Sequence, residues 1–241
     1  MSVFNQAQAV CGKCGTENGV SLAASVNADR RPDLRQAILD GTFQSTKCGN
    51  CGTQLRLPAH MTYLDIGRGQ WTLVDSFESL PNWRAAEDEA KLAYDLAFGP
   101  DSPEESREIG EGLKPRLVFG WPALREKIVC GDLGLDDTFL ELLKMSIIAN
   151  VAQPPVADET ELRLTGGGNE KLQFAWIVSN SEQTIATLEV PRGAYDDIVD
   201  DADDWAAARA DLDGHMFVDI KRLVSGSGVA PAETRVAAPG A

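Results

Sequence analysis

Two short segments carry the residues with the most specific chemistry: Cys11-Gly12-Lys13-Cys14-Gly15 and Cys48-Gly49-Asn50-Cys51-Gly52. In each, the C-x2-C spacing brings two thiolates to one side of a tight turn. Two such turns facing each other supply four sulfurs for a tetrahedral Zn²⁺. The glycine after each second cysteine can adopt a positive φ, which turns the backbone so that its amides approach the thiolates. The spacing therefore predicts one structural Zn²⁺ held by Cys11, Cys14, Cys48 and Cys51. The 33 residues between the pairs exceed the usual ribbon spacing, and a helix from Pro32 to Asp40 accounts for the extra length. Two other readings compete: unrelated thiol pairs, reduced or disulfide-bonded, and thiol redox chemistry. Redox sites place the second cysteine in a helix that lowers the thiolate pKa. Here Gly15-Thr16-Glu17-Asn18-Gly19 and Gly52-Thr53 open no helix, which counts against redox catalysis.

The remaining candidates are weaker. Cys130, between an apolar helix end and Gly131, reads as a small buried residue. His60 and His215 are the only histidines, and nothing in their spacing favours either as a partner for Cys130 or as a zinc ligand. The carboxylates Asp196, Asp197, Asp200, Asp201, Asp203 and Asp204 read as a solvated acidic helix. An EF-hand built around Asp211-Leu212-Asp213-Gly214 fails, because Arg209 and Ile220 would occupy its first and twelfth positions. Gly166 to Gly168 lacks the Lys-Ser/Thr of a P-loop. No set of residues meets the roles of nucleophile, base and orienter, which tilts the reading away from an enzyme.

The elements that must position the cysteines follow from pattern. The N-terminal stretch reads as short strands around one helix: Val20 to Val26, Gln54 to Leu57 and Thr62 to Ile66 as strands, and a helix opened by Pro32 and closed at Gly41. Asn82 is placed to cap a helix over Trp83 to Phe98, and Asp101 to Gly112 reads as exposed and acidic. Residues 113–152 read as two helices, one opened by Pro122 and one near Asp136, with Thr138 and Glu141 as a capping box. Strands over Glu161 to Leu164, Leu172 to Val178 and Thr184 to Val190 follow, then a helix over Ala194 to Arg209 and a strand over Met216 to Leu223. The expected fold class is α+β: a zinc-ribbon-like N-terminal module with a helical segment, and a C-terminal antiparallel β/α region. The expected divisions are a zinc-ribbon-like four-cysteine module over 1–75, an acidic helical linker or insertion over 76–112, an acidic helical and β region over 113–224, and a disordered tail over 225–241.

Charge separates these regions. The chain of 241 residues carries a net charge of −15, yet residues 1–80 hold seven basic and seven acidic side chains. The whole excess lies after residue 80, with its densest run at Asp196 to Asp204. That distribution points to a protein partner with a basic surface. It disfavours nucleic acid, whose grip would fall to Lys13, Arg30, Arg31, Arg35, Lys47 and Arg56 on a module that is neutral as a whole. The apolar run near Met145 to Ala152 is too short for a membrane span. With no signal-peptide pattern at Met1 to Val10, the expected location is the cytoplasm.

Several segments together resemble the bacterial CpXC domain family: the two cysteine knuckles, Ser25-Val26-Asn27, Ile38-Leu39-Asp40-Gly41-Thr42-Phe43, Tyr63-Leu64-Asp65, Leu124-Arg125-Glu126-Lys127-Ile128, Gly134-Leu135-Asp136-Asp137 and Lys144. The resemblance covers roughly residues 5 to 150. It implies metal binding and a shared fold, and no enzyme class. The chain departs from the family pattern at Gly12 and Gly49, which stand where proline is usual. Glycine permits the same turn with less preorganisation.

Overall fold

The computed structural model describes residues 2–152, 155 and 159–225. Its centre is a five-stranded mixed sheet in the order β1-β2-β5-β6-β7. The strands are β1 (Val3–Val10), β2 (Glu17–Asn27), β5 (Met61–Asp65), β6 (Gln70–Asp75) and β7 (Lys114–Phe119). Pairs β1/β2 and β5/β6 are antiparallel, while β2/β5 and β6/β7 are parallel. Each parallel pair requires a crossover. The first crossover holds α1 (Pro32–Leu39) and a small hairpin of β3 (Ser45–Lys47) and β4 (Gln54–Arg56). The second, expected as a linker or insertion, holds α2 (Trp83–Phe98) and α3 (Glu104–Glu111) and joins two fully paired neighbours, β6 and β7.

Side-chain alternation along a strand assigns the two faces of this sheet. Val26, Tyr63, Val74 and Val118 point to one face, where they pack with Ile38 of α1 and with Trp121, Leu124 and Ile128 of α4 (Trp121–Asp132). Trp71, Leu73, Leu117 and Phe119 point to the other, against Trp83, Ala86 and Ala90 of α2. Covered on both faces, β6 and β7 read as near-continuous apolar runs without alternation. That is why β7 is not visible as a strand within the expected pair of helices.

A second sheet, order β10-β9-β8, is antiparallel. It comprises β8 (Thr160–Gly167), β9 (Lys171–Val178) and β10 (Thr184–Pro191). Leu162, Leu164, Leu172, Phe174 and Trp176 meet Leu140, Leu143 and Ile147 of α5 (Asp137–Asn150) in a third apolar cluster. The molecule is thus a mixed α+β fold with three sheets among the described residues.

Several local expectations are corrected. The cap of α5 is Asp136, whose side chain accepts from the amides of Thr138 and Phe139, so Thr138 lies inside the helix. Asp136 wins because its carboxylate reaches two otherwise unpaired amides. The expected helix over Ala194 to Arg209 is two helices, α6 (Gly193–Asp200) and α7 (Ala206–Asp213), broken within a run of adjacent aspartates whose charges repel. The expected strand over Met216 to Leu223 is instead a bent segment, whose Met216 carbonyl accepts from the amides of Leu117 at 2.9 Å and Val218 at 3.1 Å, followed by α8 (Ile220–Ser225). Part of the exposed acidic stretch 101–112 is α3, anchored by Tyr94, whose hydroxyl donates to the Gly110 carbonyl at 2.8 Å. The tail expected over 225–241 begins one residue too early, since Ser225 ends α8, and its remainder, 226–241, lies outside the described residues.

Candidate metal centre

The two knuckles are the turns of two hairpins. Val10 pairs with Glu17 at the end of β1/β2, leaving Cys11 to Thr16 as the loop. Lys47 pairs with Gln54 at the end of β3/β4, leaving Cys48 to Thr53. The loops are alike: Cys-Gly-Lys-Cys-Gly-Thr and Cys-Gly-Asn-Cys-Gly-Thr. In each, the first cysteine amide donates to the threonine carbonyl, at 2.9 and 2.8 Å, and the glycine amide donates to the first cysteine carbonyl, at 2.8 and 2.9 Å. The second pair of bonds closes only if the glycine is left-handed, and Gly15 and Gly52 have φ of 72° and 69°. A β-branched residue at either position would open the loop.

The hairpins bring the four sulfurs together. Cys11 Sγ lies 3.6 Å from Cys51 Sγ, and Cys14 Sγ 3.6 Å from Cys48 Sγ. All four Sγ atoms lie within 4.8 Å of one another. These separations are too long for disulfides. They approach the edge of about 3.8 Å expected for a tetrahedron with metal–sulfur bonds of about 2.3 Å. Cys11 and Cys48, the first of each pair, are buried, whereas Cys14 is exposed. The donor set and its spacing are compatible with one metal ion, and a thiolate set selects soft or borderline cations.

Groups outside the four thiols organise the centre. Asn18 accepts the Gly49 amide on Oδ1 at 2.9 Å, and its Nδ2 donates to the Thr16 carbonyl at 2.8 Å and faces Cys48 Sγ at 3.7 Å. It therefore ties one knuckle to the other. Thr16 and Thr53 place their hydroxyls 3.3 and 3.2 Å from Cys14 and Cys51, and Asn50 Nδ2 donates to the Thr16 hydroxyl. The Cys-to-Thr repeat in the sequence marks the threonines. Nothing in the spacing marks Asn18.

The thiols have divergent affinities for protons. The Thr16 hydroxyl and amide, with neighbouring sulfurs, pull Cys14 down to about 6. The amides of Cys51 and Asn50 lower Cys48. The amides of Cys14 and Lys13 favour the Cys11 thiolate, but burial and the adjacent sulfurs outweigh them and push it up to about 11. Four close thiols resist full ionisation unless a cation compensates them.

A family model described as CpXC protein matches residues 9–144, a span that includes both knuckles and the greater part of the five-stranded sheet. The chain belongs to the CpXC family. No curated protein and no solved structure matches it.

The other candidates of this CpXC protein lie apart from the cysteine centre. Cys130 is buried, with its Sγ 3.3 Å from the Leu135 carbonyl, and burial pushes its thiol well up. His60 faces Asp75 at 3.2 Å and His215 faces Glu87 at 2.9 Å. Asp211 pairs with Arg222, and Asp213 accepts from Thr138. Of the basic residues in the neutral module, Arg31, Arg35 and Arg56 are held by Asp33, Asp132 and Glu182, which lowers the positive field available to phosphates. No helix among the described residues is long and apolar enough to cross a membrane.

Cys130→Ala should leave the metal content unchanged and cost on the order of 1 kcal/mol, the scale of a small core truncation. Metal analysis and urea unfolding check this. A loss of metal would assign Cys130 a role at the centre.

Proposed function

We propose that this CpXC protein is a non-catalytic protein-binding or assembly module whose zinc-ribbon-like hairpins are held by one structural Zn²⁺ on Cys11, Cys14, Cys48 and Cys51. The convergence of four sulfurs from two like turns carries this reading. Zinc suits it because Zn²⁺ accepts four thiolates tetrahedrally and brings no redox chemistry of its own. The protein should be purified without chelator and its metals measured. One zinc per chain is expected, and none would overturn the reading.

The partner side of the proposal rests on two surfaces. Asp196, Asp197, Asp200, Asp201, Asp203 and Asp204 cluster around α6 and the turn that follows, and all six are exposed, a field suited to a basic protein surface. In the five-stranded sheet, β1 is an edge strand without a charged side chain, and it exposes Val3, Phe4 and Val10. Edges of this kind are usually guarded by charge. Replacing Asp200, Asp201, Asp203 and Asp204 with Asn should slow association with a short lysine-rich peptide several-fold at low salt. The difference should vanish at high salt, because charges are screened beyond about 8 Å near physiological ionic strength. Stopped-flow rates that are identical for both proteins at low salt would reduce these carboxylates to a solubility feature.

A further inference from the structure

A cleft of about 390 Å³ lies between α1, α4 and the β8–β9 pair, away from the cysteine centre. Its walls are apolar: Leu39, Pro122, Val129, Leu133, Leu164 and Ile177. Three of these, Leu39, Val129 and Leu133, are only half-buried. One wall is largely backbone, where β8 passes as Thr165-Gly166-Gly167 beside a break in its register with β9. Clefts that hold small molecules have volumes of roughly 300–1,000 Å³ and combine apolar walls with a few convergent polar groups.

The polar group here is Arg125. Its Nη2 donates to Glu182 at 2.6 Å. Its Nη1 is buried and has no hydrogen-bond partner among the described residues. A buried guanidinium N–H left unmade is costly, and such groups are rare unless something else satisfies them. The local charge points the same way. Glu182 is shared with Arg56, which donates to it at 2.5 Å, so two guanidinium groups face one carboxylate. Glu182 itself holds a positive φ of 58°, an unfavourable conformation for a residue with a side chain. The turn between β9 and β10 accepts this strain while delivering the carboxylate to both arginines. Glu182 lies outside the lining, and the acidic residue among the described residues that does line the cleft, Asp132, is taken by Arg35 and Arg68 at 2.5 and 2.8 Å.

We propose that this cleft binds a small organic acid whose carboxylate pairs with the Arg125 guanidinium, a side-chain rotation bringing the enclosed Nη1 to the cleft, and whose aliphatic or aromatic body lies against Leu133, Val129 and Ile177. The class follows from the pairing of an unsatisfied cationic donor with apolar walls. A neutral apolar molecule would leave the guanidinium unmatched, and an inorganic anion would leave the walls bare. Because Leu39 of α1 and Leu164 to Gly167 of β8 both line the cleft, an occupant touches elements of both the N-terminal and the C-terminal sheet regions.

Octanoate and 1-octanol test this on the full chain, since they share a body and differ in the carboxylate. Titration calorimetry should show saturable octanoate binding, with 1-octanol roughly ten-fold weaker or worse, the scale of one hydrogen bond to a charged group. In protein labelled with ¹⁵N-arginine, octanoate should shift the side-chain signals of Arg125. Arg125→Gln should cut octanoate affinity by about ten-fold or more with little change for 1-octanol, and Leu133→Trp should weaken both by filling the cleft. Absence of octanoate binding at millimolar concentration would overturn the proposal. So would equal affinity for the two probes, or binding that leaves the Arg125 signals unmoved. The wild-type measurements decide the matter even where a variant fails to fold, and they do not depend on the zinc reading.

Discussion

Cys11→Ser should abolish stoichiometric zinc binding and unfold the paired β1/β2 and β3/β4 hairpin tips. Cys11 is the most buried of the four cysteines, so a serine there cannot reach water to relieve the missing bond. The β3/β4 hairpin is three residues per strand, too short to persist alone. On the proposed reading its stability comes from zinc, whose apparent binding energy in small structural sites is about 10–16 kcal/mol. Asn18 is the main tie that remains, and one amide bridge is worth only about 1 kcal/mol. Zinc per chain should fall from one to near zero. Limited proteolysis should then cut within residues 11–18 and 44–56, while β5, β6 and β7 stay protected by the α2 and α4 layers. Full zinc content with unchanged protection in Cys11→Ser would refute the ligand assignment.

How far this architecture is legible in the sequence depends on what each residue does. The cysteine pairs are legible because coordination needs fixed residue types at a fixed spacing. The α1 helix is legible from its ends: Pro32 opens it and Gly41, at φ 71°, follows its last turn. β1 is hidden because Val3 to Val10 mixes Asn, Gln and Ala with few branched residues, and its place comes from pairing with β2 rather than from intrinsic preference. β7 is hidden because both of its faces are buried. Asn18 gives no signal, since an asparagine that bridges two knuckles looks like any turn residue until the second hairpin arrives. The charged residues of α4 and α5 are the least legible. Glu141 reads as the end of a capping box, and Glu126 and Lys144 enter only through the family resemblance, yet all three are buried.

Those three residues support the second large effect: Lys144→Met should destabilise the fold by about 3–5 kcal/mol at neutral pH, the cost of stranding a buried charge. Lys144 Nζ donates to Glu126 at 3.0 Å and to Glu141 at 2.7 Å, and all three side chains are almost fully enclosed. Arg163 holds Glu126, Glu161 and Asp219 at 2.6–2.7 Å. The cluster thus joins α4, α5, β8 and the segment before α8, with four carboxylates around Lys144 and Arg163. Methionine fills a similar volume, so the loss is electrostatic rather than a cavity. Protonation sets the pH dependence. Burial, opposed by Lys144 and reinforced by Asp219 and Glu126, pushes Glu141 up to about 7. A raised carboxyl contributes stability that is present below its unfolded value of about 4.3 and is lost as pH rises through about 7. Removing Lys144 raises Glu141 further, so the variant gains more than wild type from protonation. The penalty should be largest near pH 8 and should shrink toward about pH 5.5, where Glu141 takes up its proton. Glu126 and Asp219, both held low by their cationic neighbours, stay ionised across that window and keep the penalty from vanishing. Urea unfolding of both proteins at the two pH values, with zinc in excess, measures this. A penalty below about 1 kcal/mol, the value of a solvated surface pair, or one that grows toward the acidic end of that window, would show that the cluster is hydrated rather than sealed.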